Sequence, residues 1–194
     1  MTIGKDTLLR AIAGQNRGLV STEVDRRAIL AAIARVEDYN PTPNPLEAKD
    51  LLEGDWRLLY TTSNGILGIE KPPFVRLGQV YQCVRPKDAR IYNIAEVQSL
   101  PYLDGIVSVT ARFEAVSNRR VEVKFDRSII ASQRLIDYST PARLIAEIEA
   151  GKNYPPLDFA IPEGQQQGWL DTTYLDSDLR IGRGNRGSVF VLTK

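Results

Sequence analysis

A chain of 194 residues with 43% apolar and 25% charged side chains has the make-up of one ordinary soluble domain with a real core, so disordered and membrane-spanning classes are disfavoured. A net charge of +1 leaves no broad basic footprint for nucleic acid, and the single cysteine, Cys83, allows neither an internal disulfide nor a cysteine-based metal site. Histidine is absent, which removes histidine-dependent triads and metal sites together and leaves any catalysis to carboxylates, tyrosines or lysines.

The opening segment MTIGKDTLLRAIAGQNR carries charges throughout and reads as neither a signal peptide nor a membrane span. Residues 4–16 and 22–39 are expected to be helices, since Leu8, Leu9 and Ile12 and then Ile29, Ile33 and Val36 recur at helical spacing, with Ser21 or Thr22 as N-cap. NPTPNP, Asn40 to Pro45, stops the second helix and reads as a stiff linker before a short turn at Leu46 to Leu52. The chain therefore divides into a helical segment with its linker, 1–45, and a β domain, 46–194.

From Gly54 the apolar period changes to two. Strands are expected at 54–63, 74–84 and 90–98. Val107, Val109, Ala111, Phe113 and Ala115, followed by Val121, Val123 and Phe125, alternate with polar residues across a turn at Asn118, the pattern of a long antiparallel hairpin. PARLIAEIEAG, Pro141 to Gly151, reads as a short helix, and Asn153 to Gly168 as a long loop. Strands at 168–175, 178–183 and 187–193 complete a set of about eight. Helices followed by a meander without βαβ alternation argue for a mainly β fold, an antiparallel barrel that closes or nearly closes and so removes its edges.

An eight-stranded barrel holds either its own side chains or one small ligand. Small residues at Gly78, Ala95, Gly105, Ala111 and Ala115 leave room between Leu58, Tyr60, Val107, Phe113, Val123 and Phe125, while Trp56, Phe74 and the other aromatics could equally fill it. The apolar loops Ser63 to Phe74 and Asn153 to Gly168 read either as a ligand, membrane or partner surface or as plugs over the core. Asp176 and Asp178 suit a turn around Ser177, and Asp171, on the Trp169 face of its strand, would need Arg180 or Arg183 as partner if it faced the barrel. GRGNRG lacks the spacing of a phosphate loop and fits a hairpin turn.

Three stretches carry a family resemblance: LEGDWRLLYTTS (Leu52 to Ser63), VRLGQVYQ (Val75 to Gln82) and, most specifically, LDTTYLDSDLRIGRGNRGSVFVL (Leu170 to Leu192). In this order they resemble the plastid lipid-associated protein (PAP)/fibrillin family, in a cyanobacterial-type member. The resemblance implies a lipocalin-like barrel that binds or transports a lipophilic small molecule (an isoprenoid quinone, a carotenoid or a lipid) without catalysis or cofactor. It also implies Gly54 and Trp56 as a structural signature at the closed end, with Arg180 over the indole. Ligand contact is then expected from Leu58, Tyr60, Val107, Val109, Phe113, Val123, Phe125 and Asp171. The rival expectation is a filled barrel that docks on an enzyme of prenylquinone synthesis or on the thylakoid surface. Either protein is expected in the cytoplasm or peripheral to the thylakoid membrane.

Overall fold

The computed structural model describes residues 4–70, 75–98, 104–154, 157–162 and 167–194. Two helices, α1 (Lys5–Ile12) and α2 (Glu23–Glu37), precede a one-turn helix α3 (Lys49–Leu52). Thr22 caps α2 in a reciprocal box: its hydroxyl accepts from Asp25 N, and the Asp25 carboxylate accepts from Thr22 N at 3.0 Å. The strands are β1 (Gly54–Thr61), β2 (Arg76–Arg85), β3 (Arg90–Gln98), β4 (Gly105–Ala115), β5 (Arg120–Ser132), β6 (Asp158–Ala160), β7 (Gln167–Leu175), β8 (Leu179–Gly184) and β9 (Val189–Thr193). A short helix α4 (Asn64–Leu67) with a 3₁₀ turn follows β1, and α5 (Pro141–Glu149) follows β5.

All strand pairs are antiparallel. The order β4-β3-β2-β1-β9-β8-β7-β5-β6, together with the β4–β5 pairing, closes every strand but β6 into a ring of eight. The barrel expected from the alternation is therefore present, and the strand expected from 74 begins at Arg76, its Phe74 lying outside the described residues. Two elements carry no period of their own: β6, only three residues long, and α4.

Three hydrophobic clusters follow from the alternation. The inward residues, among them Trp56, Leu58, Val84, Ile91, Val123 and Leu192, form the lumen. Ile29, Ile33 and Val36 of α2 and Leu8 and Ile12 of α1 pack against the outer wall of β7, β8, β9 and β1 through Tyr174, Ile181 and Val191. On the β2–β5 flank, Leu144, Ile145 and Ile148 of α5 cover Cys83, Ile94 and Ile129. The 1–45 segment is also bonded to the barrel: Asn40 Oδ1 accepts from Leu175 N at 3.0 Å and the Thr42 hydroxyl donates to Leu175 O at 2.7 Å. The proline-punctuated stretch thus lies across one end of the barrel.

Bulges reset which face a residue occupies. Leu59 and Tyr60 both face the helices because the β1–β9 register shifts between Leu58 and Tyr60. In β5 the shift next to Phe125 turns Asp126 and Arg127 outward together, Asp126 to Arg90 and the Thr110 hydroxyl, Arg127 to Asp158. Gly78 sits at the β2 irregularity, where a Cβ would stand 2.9 Å from Glu96 O.

Asp176 and Asp178 shape the β7–β8 turn: Asp176 Oδ1 accepts from Asp178 N and Leu179 N. Asp176 has a second task, since Lys5 Nζ reaches its Oδ2 at 2.8 Å and Asp178 Oδ1 at 2.6 Å, tying α1 to the barrel. Burial opposes the Asp176 charge, but the bonds from Lys5, Tyr174 and the turn outweigh it and hold the carboxyl well below the ordinary 3.8. A carboxylate depressed on folding stabilises the fold fully above its unfolded value and loses that contribution as pH falls through the folded one. Asp176→Asn is expected to cost about 1–2 kcal/mol at neutral pH. The difference from the unsubstituted protein should shrink below about pH 4, as urea titrations at both pH values will show.

Candidate functional site

The barrel interior has two unlike halves. At the end marked by Gly54, Leu175 and Leu179, Trp56 is fully buried and donates from Nε1 to Leu52 O at 2.8 Å. Its ring lies between two cations, with the Arg180 guanidinium 5.2 Å and the Lys194 ammonium 4.7 Å from the ring centre. Lys194 Nζ also bonds Leu51 O at 2.8 Å, which closes the end from outside. Gly54 is required here on two counts: its φ of +147° disfavours a side chain, and a Cβ would meet Lys194 Cε at 2.6 Å.

Arg180 is the unusual member of this layer. It is 2% exposed and points inward from β8, yet no carboxylate pairs with it among the described residues. Burial pulls the guanidinium down to about 9, which leaves it charged at neutral pH. Its Nη2 donates to Gln82 Oε1, Gln82 Nε2 donates to Asn93 Oδ1 at 3.0 Å, and Asn93 Nδ2 reaches Val109 O at 3.5 Å. A polar chain thus runs along the inner wall from β8 through β2 and β3 to β4. The space left beside it, lined by Leu46, Phe113, Leu170, Thr172 and Arg180, is about 20 Å³. That volume holds about one water molecule. The closed half is filled.

The other half is open. Cross-strand partners share a face, so the pairs Val107↔Ile130, Val109↔Ser128 and Ser128↔Phe159 extend the inner wall from β4 through β5 onto β6. Leu157, two residues before Phe159 and bonded through its carbonyl to Ile130 N, joins the same face. Ile130, Leu157 and Phe159 are 43%, 48% and 50% exposed. Arg127 holds β6 in place with a two-pronged contact to Asp158, at 2.8 and 2.6 Å, and this pair lowers the Asp158 carboxyl. Facing the concave wall, Ile66 and Ile69 after β1 and Leu19 from the α1–α2 loop turn inward onto the lumen cluster. The Ser63–Phe74 loop therefore acts as a plug over its described part, residues 71–74 lying outside it.

Among the expected contact residues, Leu58, Phe113, Val123 and Phe125 lie in the lumen cluster, and Val107 and Val109 line the open half. Two require correction. Tyr60 stands outside the barrel, under α1 and α2, because of the bulge that follows Leu58. Asp171 faces outward, where Arg120 clamps it at 2.6 and 2.7 Å while stacking 4.2 Å over Trp169, so neither Arg180 nor Arg183 is its partner. Arg183 pairs instead with Glu37 of α2. Sequence reasoning missed Gln82 and Asn93, whose inward placement was visible in the alternation of β2 and β3, and also Ile130, Leu157 and Phe159. The outward Cys83 is buried under α5, and burial pushes its thiol up, away from nucleophilic use.

The PAP_fibrillin family model matches residues 2–193. The chain belongs to the plastid lipid-associated protein/fibrillin family. Similar fibrillin-family members include the light-induced chloroplastic protein of Solanum tuberosum, 34% identical across 98% of this chain and 66% of its own length. Plastid lipid-associated protein 1 of Brassica campestris is 33% identical over the same shares, and the chromoplast-specific carotenoid-associated protein of Cucumis sativus is 32% identical over 98% and 67%. The fibrillin chain thus spans just under two thirds of the length of the first of these relatives. No solved structure matches it. Among the described residues no helix is long and apolar enough to cross a membrane.

The Arg180–Gln82 contact gives a stability test. Gln82→Leu strips a buried charge of its one hydrogen-bond partner and is expected to cost about 2–4 kcal/mol. Adding Arg180→Met removes the charge itself, so the double variant should be more stable in thermal denaturation than Gln82→Leu alone. A double variant less stable than Gln82→Leu would show that the guanidinium is a net stabiliser by itself.

Proposed function

We propose that this chain is a non-enzymatic binder of a lipophilic molecule, an isoprenoid quinone, a carotenoid or a membrane lipid, held in the open half of the barrel. The observation that carries the reading is the half-exposed apolar wall of Val107, Val109, Ile130, Leu157 and Phe159, continuous with the lumen and set opposite Ile66 and Ile69. Covering such a wall with an isoprenoid or acyl chain gains about 0.8 kcal/mol for each methylene removed from water. Leu58, Phe113, Val123 and Phe125 lie deeper and would bound the end of the chain rather than hold its length. The lipid- and carotenoid-associated names of the relatives support the ligand class.

The exposed aliphatic side chains add a geometric argument for delivery from a lipid surface. Val20, Val24 and Leu135 are 61%, 78% and 86% exposed. Bonds from Arg17 to Thr61, from Arg26 to Thr62 and from Gln133 to Asp104 place their segments at the same end of the barrel as Ile130 and Phe159. A rim of this kind seats the mouth on a thylakoid or lipid-droplet surface, so that a ligand passes into the barrel without crossing water.

A second reading is favoured by the filled closed half: the barrel acts as a scaffold, and the same rim docks on an enzyme of prenylquinone synthesis. Mass spectrometry of organic extracts from protein purified out of a photosynthetic host separates the two. The binder predicts near-stoichiometric lipid, and an Ile130→Asp variant that keeps its melting temperature while losing roughly 10- to 100-fold in affinity for a short-chain quinone. Protein free of lipid, with no saturable quinone binding, would sink the binder and leave the scaffold.

A further inference from the structure

We propose that the small cavity at the closed end is a binding site for one weakly hydrated monovalent anion of halide size, held by the Arg180 guanidinium and the Thr172 hydroxyl. The space of about 20 Å³ beside these two residues suits a single monatomic ion and excludes sulfate, phosphate or an acyl carboxylate with its chain.

The donors on the cavity wall are the first argument. A guanidinium carries five N–H donors, and the one bond that Arg180 makes among the described residues runs from Nη2 to Gln82 Oε1. Arg180 is nevertheless 2% exposed, so its remaining donors have only the cavity to face. The Thr172 side chain, 5% exposed, lines the same space, and its hydroxyl makes no hydrogen bond among the described residues.

Charge is the second argument. An isolated buried cation is costly, and proteins ordinarily answer it with a carboxylate. Here Glu37 is taken by Arg183, Asp171 by Arg120 and Asp55 by Arg85, while Gln82 offers Arg180 only a neutral amide. Lys194, on the other cation-bearing face of Trp56, adds a second positive charge to this end. A water molecule satisfies donors but leaves the charge, whereas an anion answers both.

The remaining wall sets the selectivity. Leu46, Leu52, Val84, Ile91, Phe113 and Leu170 supply no polar atom to replace a hydration shell, so the site should prefer iodide and bromide to chloride, and chloride to fluoride. The proposal is independent of the lipid reading, because the cavity lies in the filled half and the open wall does not contribute to it.

The test uses the intact chain with Trp169→Phe, which leaves Trp56 as its one tryptophan. Bromide titration should quench Trp56 saturably and without shortening its lifetime, and crystals soaked in sodium bromide should show one anomalous peak within hydrogen-bond reach of Arg180 and Thr172. Thr172→Val should weaken binding about tenfold through loss of one hydrogen bond. Arg180→Met should abolish it, and if that variant does not fold, Thr172→Val decides. Collisional quenching with no saturation, or affinity unchanged in Thr172→Val, overturns the site. A crystal peak without a saturable signal in solution marks an adventitious ion only and overturns it equally.

Discussion

Strand β5 is the constraint on which the architecture depends. It is 13 residues long, pairs with β4 along its whole length, and divides its other edge between two partners: β7 against Arg120–Lys124 and β6 against Arg127–Ile129. The division falls at the bulge by Asp126, where Arg90, Arg112 and the Thr110 hydroxyl hold the carboxylate while Arg127 turns to Asp158. Before the bulge the strand closes a barrel; after it the strand carries a curved wall away from β7. One irregularity thus produces both the sealed end and the open one. Without it the ring would continue, and the apolar residues of β4 and β5 beyond it would be enclosed.

The two ends then acquire opposite chemistry. At the sealed end, apolar packing is combined with a charge that has no counter-charge, and a ladder of amides through Gln82 and Asn93 conducts polarity along the inner wall towards Val109. A buried network of this kind fixes the register of β2, β3 and β8 more sharply than interchangeable aliphatic side chains do, since each amide has few satisfactory partners. At the open end the wall is aliphatic and aromatic and half exposed. A lipophilic molecule entering there meets polarity only as it reaches the depth of Asn93, which suits a long apolar chain with its polar group left outside.

Much of this was legible in the sequence. Period-two alternation from Gly54 located the ring strands, the capping residues located α2, and Gly54, Trp56 and Arg180 were recognisable as one structural unit. The failures have a common physical origin. Tyr60 and Asp171 were assigned by counting alternate residues, and a bulge changes the face of everything beyond it without leaving a mark that counting can see. The partner of Asp171 is Arg120 of a strand distant in sequence, so only the β5–β7 register reveals it. Strand β6 is three residues fixed by one ion pair, Arg127 with Asp158, and has too little length for a period to show. Because β6 supplies Leu157 and Phe159, the mouth was the least readable part of the candidate site, while the filled interior was the most readable.

The central claim is that an apolar ligand is held at the open wall and not at the tryptophan end. Photo-crosslinking with a diazirine-bearing isoprenoid quinone, followed by peptide mass spectrometry, tests it most directly. The account predicts adducts on Val107, Val109, Ile130, Leu157 and Phe159, with none on Trp56, Leu52 or Val84. Adducts concentrated on the residues around Trp56 and Arg180 would contradict it, for they would mean that the sealed end opens and that the barrel fills from the other side.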